Sequence, residues 1–109
     1  MNAVELEADI ARALGASVNG DRTAFARFVG LTQGMVTDVA LAITAYPASS
    51  EDIAQETFLE TWQRLPRLHA ESSVLPWLRQ VARNKSIDLL RRRAQGAVQV
   101  EVARLEEVV

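Results

Sequence analysis

Ser50-Glu-Asp-Ile-Ala-Gln-Glu-Thr-Phe-Leu-Glu-Thr-Trp62 and Trp77-Leu-Arg-Gln-Val-Ala-Arg-Asn-Lys-Ser-Ile-Asp-Leu-Leu-Arg-Arg-Arg93 are the two stretches that decide how this chain reads. In the first, Ile53, Phe58 and Trp62, with Leu65 just beyond, recur at helical spacing. In the second, Leu78, Val81 or Ala82, and Leu89 do the same, with Leu75 just before them. Both predict amphipathic helices. The first is acidic, the second basic, and a loop over Pro66–Ser73 is expected between them. One small domain with two surfaces of opposite sign can hold a protein partner and a nucleic acid together.

Net charge conceals this division. The 109 residues carry −2 overall. Residues 1–63 hold three Arg against nine Asp and Glu, a charge of −6. Residues 64–93 hold seven Arg and one Lys against Glu71 and Asp88, a charge of +6. The last 16 residues hold Arg104 against three Glu, a charge of −2. Segregation of this kind is an electrostatic footprint that the net value hides. The arginine run also suits the C-terminal end of a helix, where the dipole favours cations.

Working outward, the apolar spacing stays helical and no strand is predicted. Val4, Ile10 and Leu14 suggest a first helix to about Ala16, and Asn19-Gly20-Asp21 a turn, with Asp21 as the next N-cap. Ala24, Phe25, Phe28 and Leu31 mark a second helix that Gly30 and Gly34 are expected to break or kink. A third runs from Met35 to about Ala45, before Tyr46-Pro47. Ser49 or Ser50 is the expected cap of the acidic helix, which Pro66 should stop. Ser72 or Ser73 is the expected cap of the basic helix, with Pro76 in its first turn and Gly96 near its end. The fold class is therefore all-α: a compact bundle of four to five helices. Its expected organisation is a helical extension over 1–18, a core domain over 19–95, and a linker or tail over 96–109.

Several function classes find no support. There is no Cys and one His, so neither a disulfide framework nor a typical zinc site is expected. No signal peptide or membrane-length apolar run appears, and the cytoplasm is the expected compartment. No Ser-His-Asp order, phosphate loop or HExxH helix is present, so no catalytic residue and no cofactor is assigned.

Binding residues are assigned instead. Asp52, Gln55, Glu56, Leu59 and Gln63 share one side of the acidic helix, opposite Phe58 and Trp62. Carboxylates and amides around one Leu suit a basic protein partner, and a merely solvated helix back fits the same spacing. On the basic helix, Arg79, Arg83 and Asn84 are expected near one another, with Arg91 and Arg92 further along. Arg suits phosphate through its planar fork, and Asn can pair with a base edge. Arg67, His69 and Ser72 extend this surface from the preceding loop, where an unstacked base could be read. Trp62 and Trp77 are expected in the core.

These residues resemble region 2 of bacterial sigma factors of the extracytoplasmic-function (ECF) group. Gly20-Asp21-Arg22-Thr23-Ala24-Phe25 is similar to the opening of that region. Glu51-Asp52-Ile53-Ala54-Gln55-Glu56-Thr57-Phe58 looks like its acidic signature. Trp77-Leu78, Val81-Ala82-Arg83-Asn84, Asp88 and Arg91-Arg92-Arg93 look like its basic one. The resemblance implies that Asp52, Gln55 and Glu56 dock on the clamp coiled coil of the largest subunit of RNA polymerase core. It implies that Asn84, the arginines and the preceding loop read the minus-ten promoter element as a single strand. An anti-sigma factor is a further candidate partner. The family's second, helix-turn-helix DNA-reading domain has no counterpart after Arg93, so the chain reads as a fragment whose tail begins an interdomain linker. The runner-up is a sigma-like interaction module that binds polymerase or an anti-sigma factor without reading DNA.

Overall fold

The computed structural model describes residues 1–69 and 74–108. Helix α1 spans Ala3–Ser17, α2 Arg22–Thr44, α3 Pro47–Gln63, α4 Leu65–His69 and α5 Leu75–Val108. No strand occurs among the described residues, so the fold is all-α.

Local chemistry sets most helix ends. Asn2 caps α1 by accepting from the Glu5 N–H at 2.8 Å. Gly20 takes φ +85° in the turn that follows, a conformation open to glycine at little cost. Asp21 then caps α2, accepting from the Ala24 N–H at 3.0 Å, as its side chain leads one to expect. Helix α2 ends on Ala45, left-handed at φ 65°, whose N–H bonds to the Leu41 carbonyl.

Three expectations about these elements need correction. Gly30 and Gly34 do not break α2, which is one 23-residue helix. Each glycine costs the helix about 1 kcal/mol relative to Ala. Phe28, Thr32, Val36, Ala40 and Thr44 are buried at four-residue steps through the same stretch, and burying one large apolar side chain returns about 1.5–3 kcal/mol. Second, neither Ser49 nor Ser50 caps α3. Its N-cap is Tyr46, without a side-chain bond, and Pro47 opens the helix. Proline fixes a helical φ at a position whose N–H is unpaired in any case. Ser50 Oγ donates instead to the Pro47 carbonyl at 2.7 Å. Third, the chain beyond Gln63 does not enter a loop directly. Arg64 closes α3, and Leu65 starts α4 with Pro66 in its first turn. Leu65 and Leu68 are buried, so this short helix is held by packing against α1 and α3. The proposed Ser72 or Ser73 cap of α5 lies outside the described residues.

Helix α2 is the hub, packing on α1, α3 and α5. Phe28 lies fully buried at its centre. It stacks on Phe25 at 5.8 Å between centroids and meets Phe58 of α3 edge-on at 6.4 Å. Phe25 in turn meets Trp62 edge-on at 4.9 Å. Ile10, Leu14, Val36, Ile53 and Leu78 complete the core, with Trp62 and Trp77 half-buried against it. Val4 stands outside, being 76% exposed. Buried hydroxyls do not disturb this core. Thr32, Thr44, Thr57, Thr61 and Ser86 each donate to the carbonyl four residues earlier, at 2.7–2.8 Å.

Helix α5 corrects one more expectation. It passes Gly96 without a break and continues to Val108. Leu78, Ala82 and Ser86 are buried at four-residue steps, but every residue from Leu90 to Glu107 is exposed. Thirty-four residues rising 1.5 Å each give about 51 Å. That length fits only along the longest of the molecule's 62 × 27 × 22 Å extents. The second half of α5 is thus an arm projecting from the bundle.

Candidate protein and nucleic-acid interfaces

Burial of Ile53, Ala54, Thr57, Phe58 and Thr61 turns the opposite side of α3 to solvent. Asp52, Gln55, Glu56, Leu59 and Gln63 are all exposed there, Leu59 by 59%. A single exposed apolar side chain is ordinary at a protein surface, so Leu59 alone does not distinguish a docking face from a solvated helix back. Next to it, Glu56, Leu59 and Gln63 share a shallow depression of about 330 Å³ with Glu60, Arg64 and Lys85.

Glu60 organises that depression. Its carboxylate lies 3.4 Å from Arg64 Nη2 and 3.4 Å from Lys85 Nζ. The Lys85 contact links α3 to α5. Among the described residues, Asp52 and Glu56 have no such cation within salt-bridge distance. The face therefore keeps uncompensated negative charge at its N-terminal end and is neutralised at its C-terminal end. Sequence reasoning missed Glu60, Arg64 and Lys85 as part of this surface. The Glu60 and Arg64 pair is legible as an i,i+4 spacing, whereas Lys85 arrives only through packing.

On α5, burial of Leu78, Ala82 and Ser86 leaves Arg79, Arg83 and Asn84 exposed. Their arrangement differs from the single cluster expected. Arg79 and Arg83, one turn apart, line a groove of about 610 Å³ against Val39, Ala42 and Ile43 of α2. Asn84 follows Arg83 by one residue and so points about 100° away around the axis. It lines a smaller depression with Glu60, Lys85 and Asp88, on the α3 side. Gln80 bridges the two, lining the groove and donating through Nε2 to Asn84 Oδ1 at 2.9 Å. The basic surface is a ridge with arginines on one flank and an amide pair on the other.

Further along, Arg91 and Arg92 are exposed. Arg92 Nε lies 3.2 Å from Asp88 Oδ2, with both side chains more than 60% exposed. An exposed pair of this kind holds weakly, at about 0.2–1 kcal/mol, and can yield to a phosphate. Arg93 behaves differently from its neighbours. It donates to Ser49 Oγ at 2.6 Å and places its guanidinium 5.7 Å from the Tyr46 ring centroid. It is turned toward the start of α3, a role that a run of three arginines does not reveal. Arg67 is exposed on α4. The side chain of His69, and Ser72 with the rest of the segment before α5, lie outside the described residues.

The fold and its two faces define a class: an all-helical domain with an acidic surface on α3 and a basic one on α5. Comparison with known proteins agrees with that class. Residues 28–95 match sigma-70 region 2, and the chain belongs to that family. The chain is 46% identical over 105 residues to a probable RNA polymerase sigma factor, RfaY, of Xanthomonas campestris pv. campestris. That alignment covers 96% of this chain and 26% of the relative. It is also 29% identical over 87 residues to the ECF RNA polymerase sigma factor SigK of Mycobacterium tuberculosis, covering 79% of this chain and 46% of the relative. The chain thus spans between a quarter and a half of the length of these curated relatives. No solved structure matches it. No described helix is long and apolar enough to cross a membrane.

Proposed function

We propose that this domain is the promoter-recognition part of an alternative sigma factor, joining RNA polymerase core to the melted minus-ten element in transcription initiation. The observation that carries the reading is the pair of exposed faces of opposite sign on two helices tied to each other. The ties are the Glu60–Lys85 contact and the Arg93–Ser49 hydrogen bond. The family, and the sigma-factor names of the relatives, support RNA polymerase and promoter DNA as the two partners.

In this reading Asp52, Gln55, Glu56, Leu59 and Gln63 dock on the basic side of the polymerase clamp coiled coil. Leu59 supplies the apolar centre, and the charged groups around it set orientation and on-rate. Arg79, Arg83, Arg91 and Arg92 neutralise strand phosphates. Asn84 reads a base edge, and Arg67, His69 and Ser72 flank the strand before α5. The domain performs no chemistry itself. It holds a base outside the stack, offsetting an unstacking cost of a few kcal/mol, while polymerase carries out synthesis. An anti-sigma factor would act by covering either face.

The test is capture of polymerase core, and of its isolated clamp helices, by this chain and by Gln55→Ala/Glu56→Ala. Both positions are exposed, so the double variant keeps its fold, as circular dichroism checks. Capture by the parent chain and loss in the variant supports the docking face. No capture by the folded parent chain would overturn the assignment.

A further inference from the structure

Gln80 stands between two surfaces of opposite character on α5. On one side it lines the groove with Arg79 and Arg83. On the other it donates through Nε2 to Asn84 Oδ1 at 2.9 Å, across one helical turn. Asn84 in turn lines the depression that holds Glu60, Lys85 and Asp88. The two amides therefore lie in series, from a cationic flank to one that carries two carboxylates. Guanidinium groups offer only donors and carboxylates only acceptors. The arginine flank thus favours the carbonyl end of Gln80, which turns its amide nitrogen toward Asn84. Asp88, one turn beyond Asn84, and Glu60 favour the nitrogen end of Asn84 in the same way. The observed direction of the hydrogen bond is the one these charges select.

We propose that Gln80 is a positioning residue for strand recognition: by holding Asn84 Oδ1, it makes Asn84 present its N–H donors to an acceptor atom on a base. The inference rests on the assignment of Asn84 to a base edge. An asparagine amide free to turn over offers its oxygen or its nitrogen with similar ease, and so reads acceptor and donor edges alike. With Oδ1 held toward Gln80, Nδ2 faces away from it, and neither of its hydrogens has a partner among the described residues. The nearby carboxylates are engaged elsewhere. Arg92 lies 3.2 Å from Asp88, and Arg64 and Lys85 each lie 3.4 Å from Glu60. The ligand of Asn84 is then a ring nitrogen or a carbonyl oxygen of an unstacked base. A Gln and Asn pair at this spacing also steadies an exposed helix, so stability alone does not distinguish the two roles, whereas base preference does.

The experiment compares affinities for a minus-ten single strand and for strands carrying each other base at each position, by anisotropy with polymerase core present. The position that loses its preference in Asn84→Ala is the one the amide reads. There, Gln80→Met keeps the side-chain length and removes the hydrogen bond, and should lower the preference about threefold. Gln80→Lys keeps a donor and should hold the preference within about 1.5-fold. Gln80→Glu removes the donor and should lower it as Gln80→Met does. The Lys and Glu variants shift affinity for every strand in opposite directions through charge, and a ratio of affinities cancels that shift. In an Asn84→Ala background, Gln80→Met should change the ratio no further. Three results overturn the role of Gln80 while leaving that of Asn84: a preference unchanged in Gln80→Met, an equal loss in Gln80→Lys, or an effect of Gln80→Met that persists without Asn84. No preference lost at any position in Asn84→Ala overturns both roles. Absence of binding to polymerase core overturns the proposed function and this inference with it.

Discussion

Arg93 and Ser49, 44 residues apart in sequence, meet through a 2.6 Å hydrogen bond from the guanidinium Nη2 to the hydroxyl oxygen. The same guanidinium lies over Tyr46. One arginine of a run of three therefore pins α5 to the first turn of α3. The helix proposed to read DNA and the helix proposed to dock on polymerase are held together at that point.

Arg93→Ala should lower stability by about 1 kcal/mol, the combined loss of a charge-assisted hydrogen bond and a partly exposed cation–π contact. For a domain of this size that is a fall in Tm of about 4–8 °C. A thermal melt followed by circular dichroism measures it. Arg91, which makes no hydrogen bond or ion pair to the bundle among the described residues, should on replacement by Ala leave Tm within about 1–2 °C of the parent. Equal losses in both variants would remove the special role of Arg93.

Arg92 should matter to DNA rather than to the fold. Its pairing with Asp88 is exposed and weak, so Arg92→Ala should hardly change stability. It should lower affinity for single strands of every sequence and reduce the salt dependence by about 0.7 in log–log slope, the loss of one neutralised phosphate. Measurement with polymerase present, as anisotropy of a labelled minus-ten strand at several salt concentrations, gives both quantities. An unchanged slope counts against a phosphate contact.

Asn84→Ala should act on sequence preference instead. The amide is held by Gln80, which orients it, and a good base-edge contact discriminates by about 1–3 kcal/mol. The ratio of affinities for matched and scrambled minus-ten strands should fall about fivefold or more, with little change on the scrambled strand. Equal weakening on both strands would make Asn84 a structural or phosphate-contacting residue.

Gly30→Ala and Gly34→Ala should each stabilise the domain by about 0.5–1 kcal/mol. Both glycines are exposed inside a continuous helix, and an added Cβ meets nothing within 4 Å. Urea unfolding reads the gain. A loss of stability at either site would mean that α2 bends there in solution.

Phe28→Ala should cost about 3–5 kcal/mol. Its ring is fully buried between Phe25 and Phe58. The same urea titration places it against the parent.

Much of this was legible from residues alone because local physics decides it. Asp21 caps α2 with its own side chain, and the apolar spacing of α3 and α5 settles which faces turn inward. The five acidic-helix residues are exposed for that reason, and so are Arg79, Arg83 and Asn84. The sequence alone thus determined an all-helical chain and the two oppositely charged helix faces, since period and charge are local properties. Tertiary structure alone decided the rest. Packing on three helices carried α2 through two glycines, because summed burial exceeds a local cost of about 1 kcal/mol per glycine. Crossing of α3 and α5 brought Lys85 to Glu60 and Arg93 to Ser49. It also set Asn84 on a different flank from Arg83. Contacts between residues 25 or 44 positions apart leave no periodic trace in a sequence. They exist only once two helices share a core.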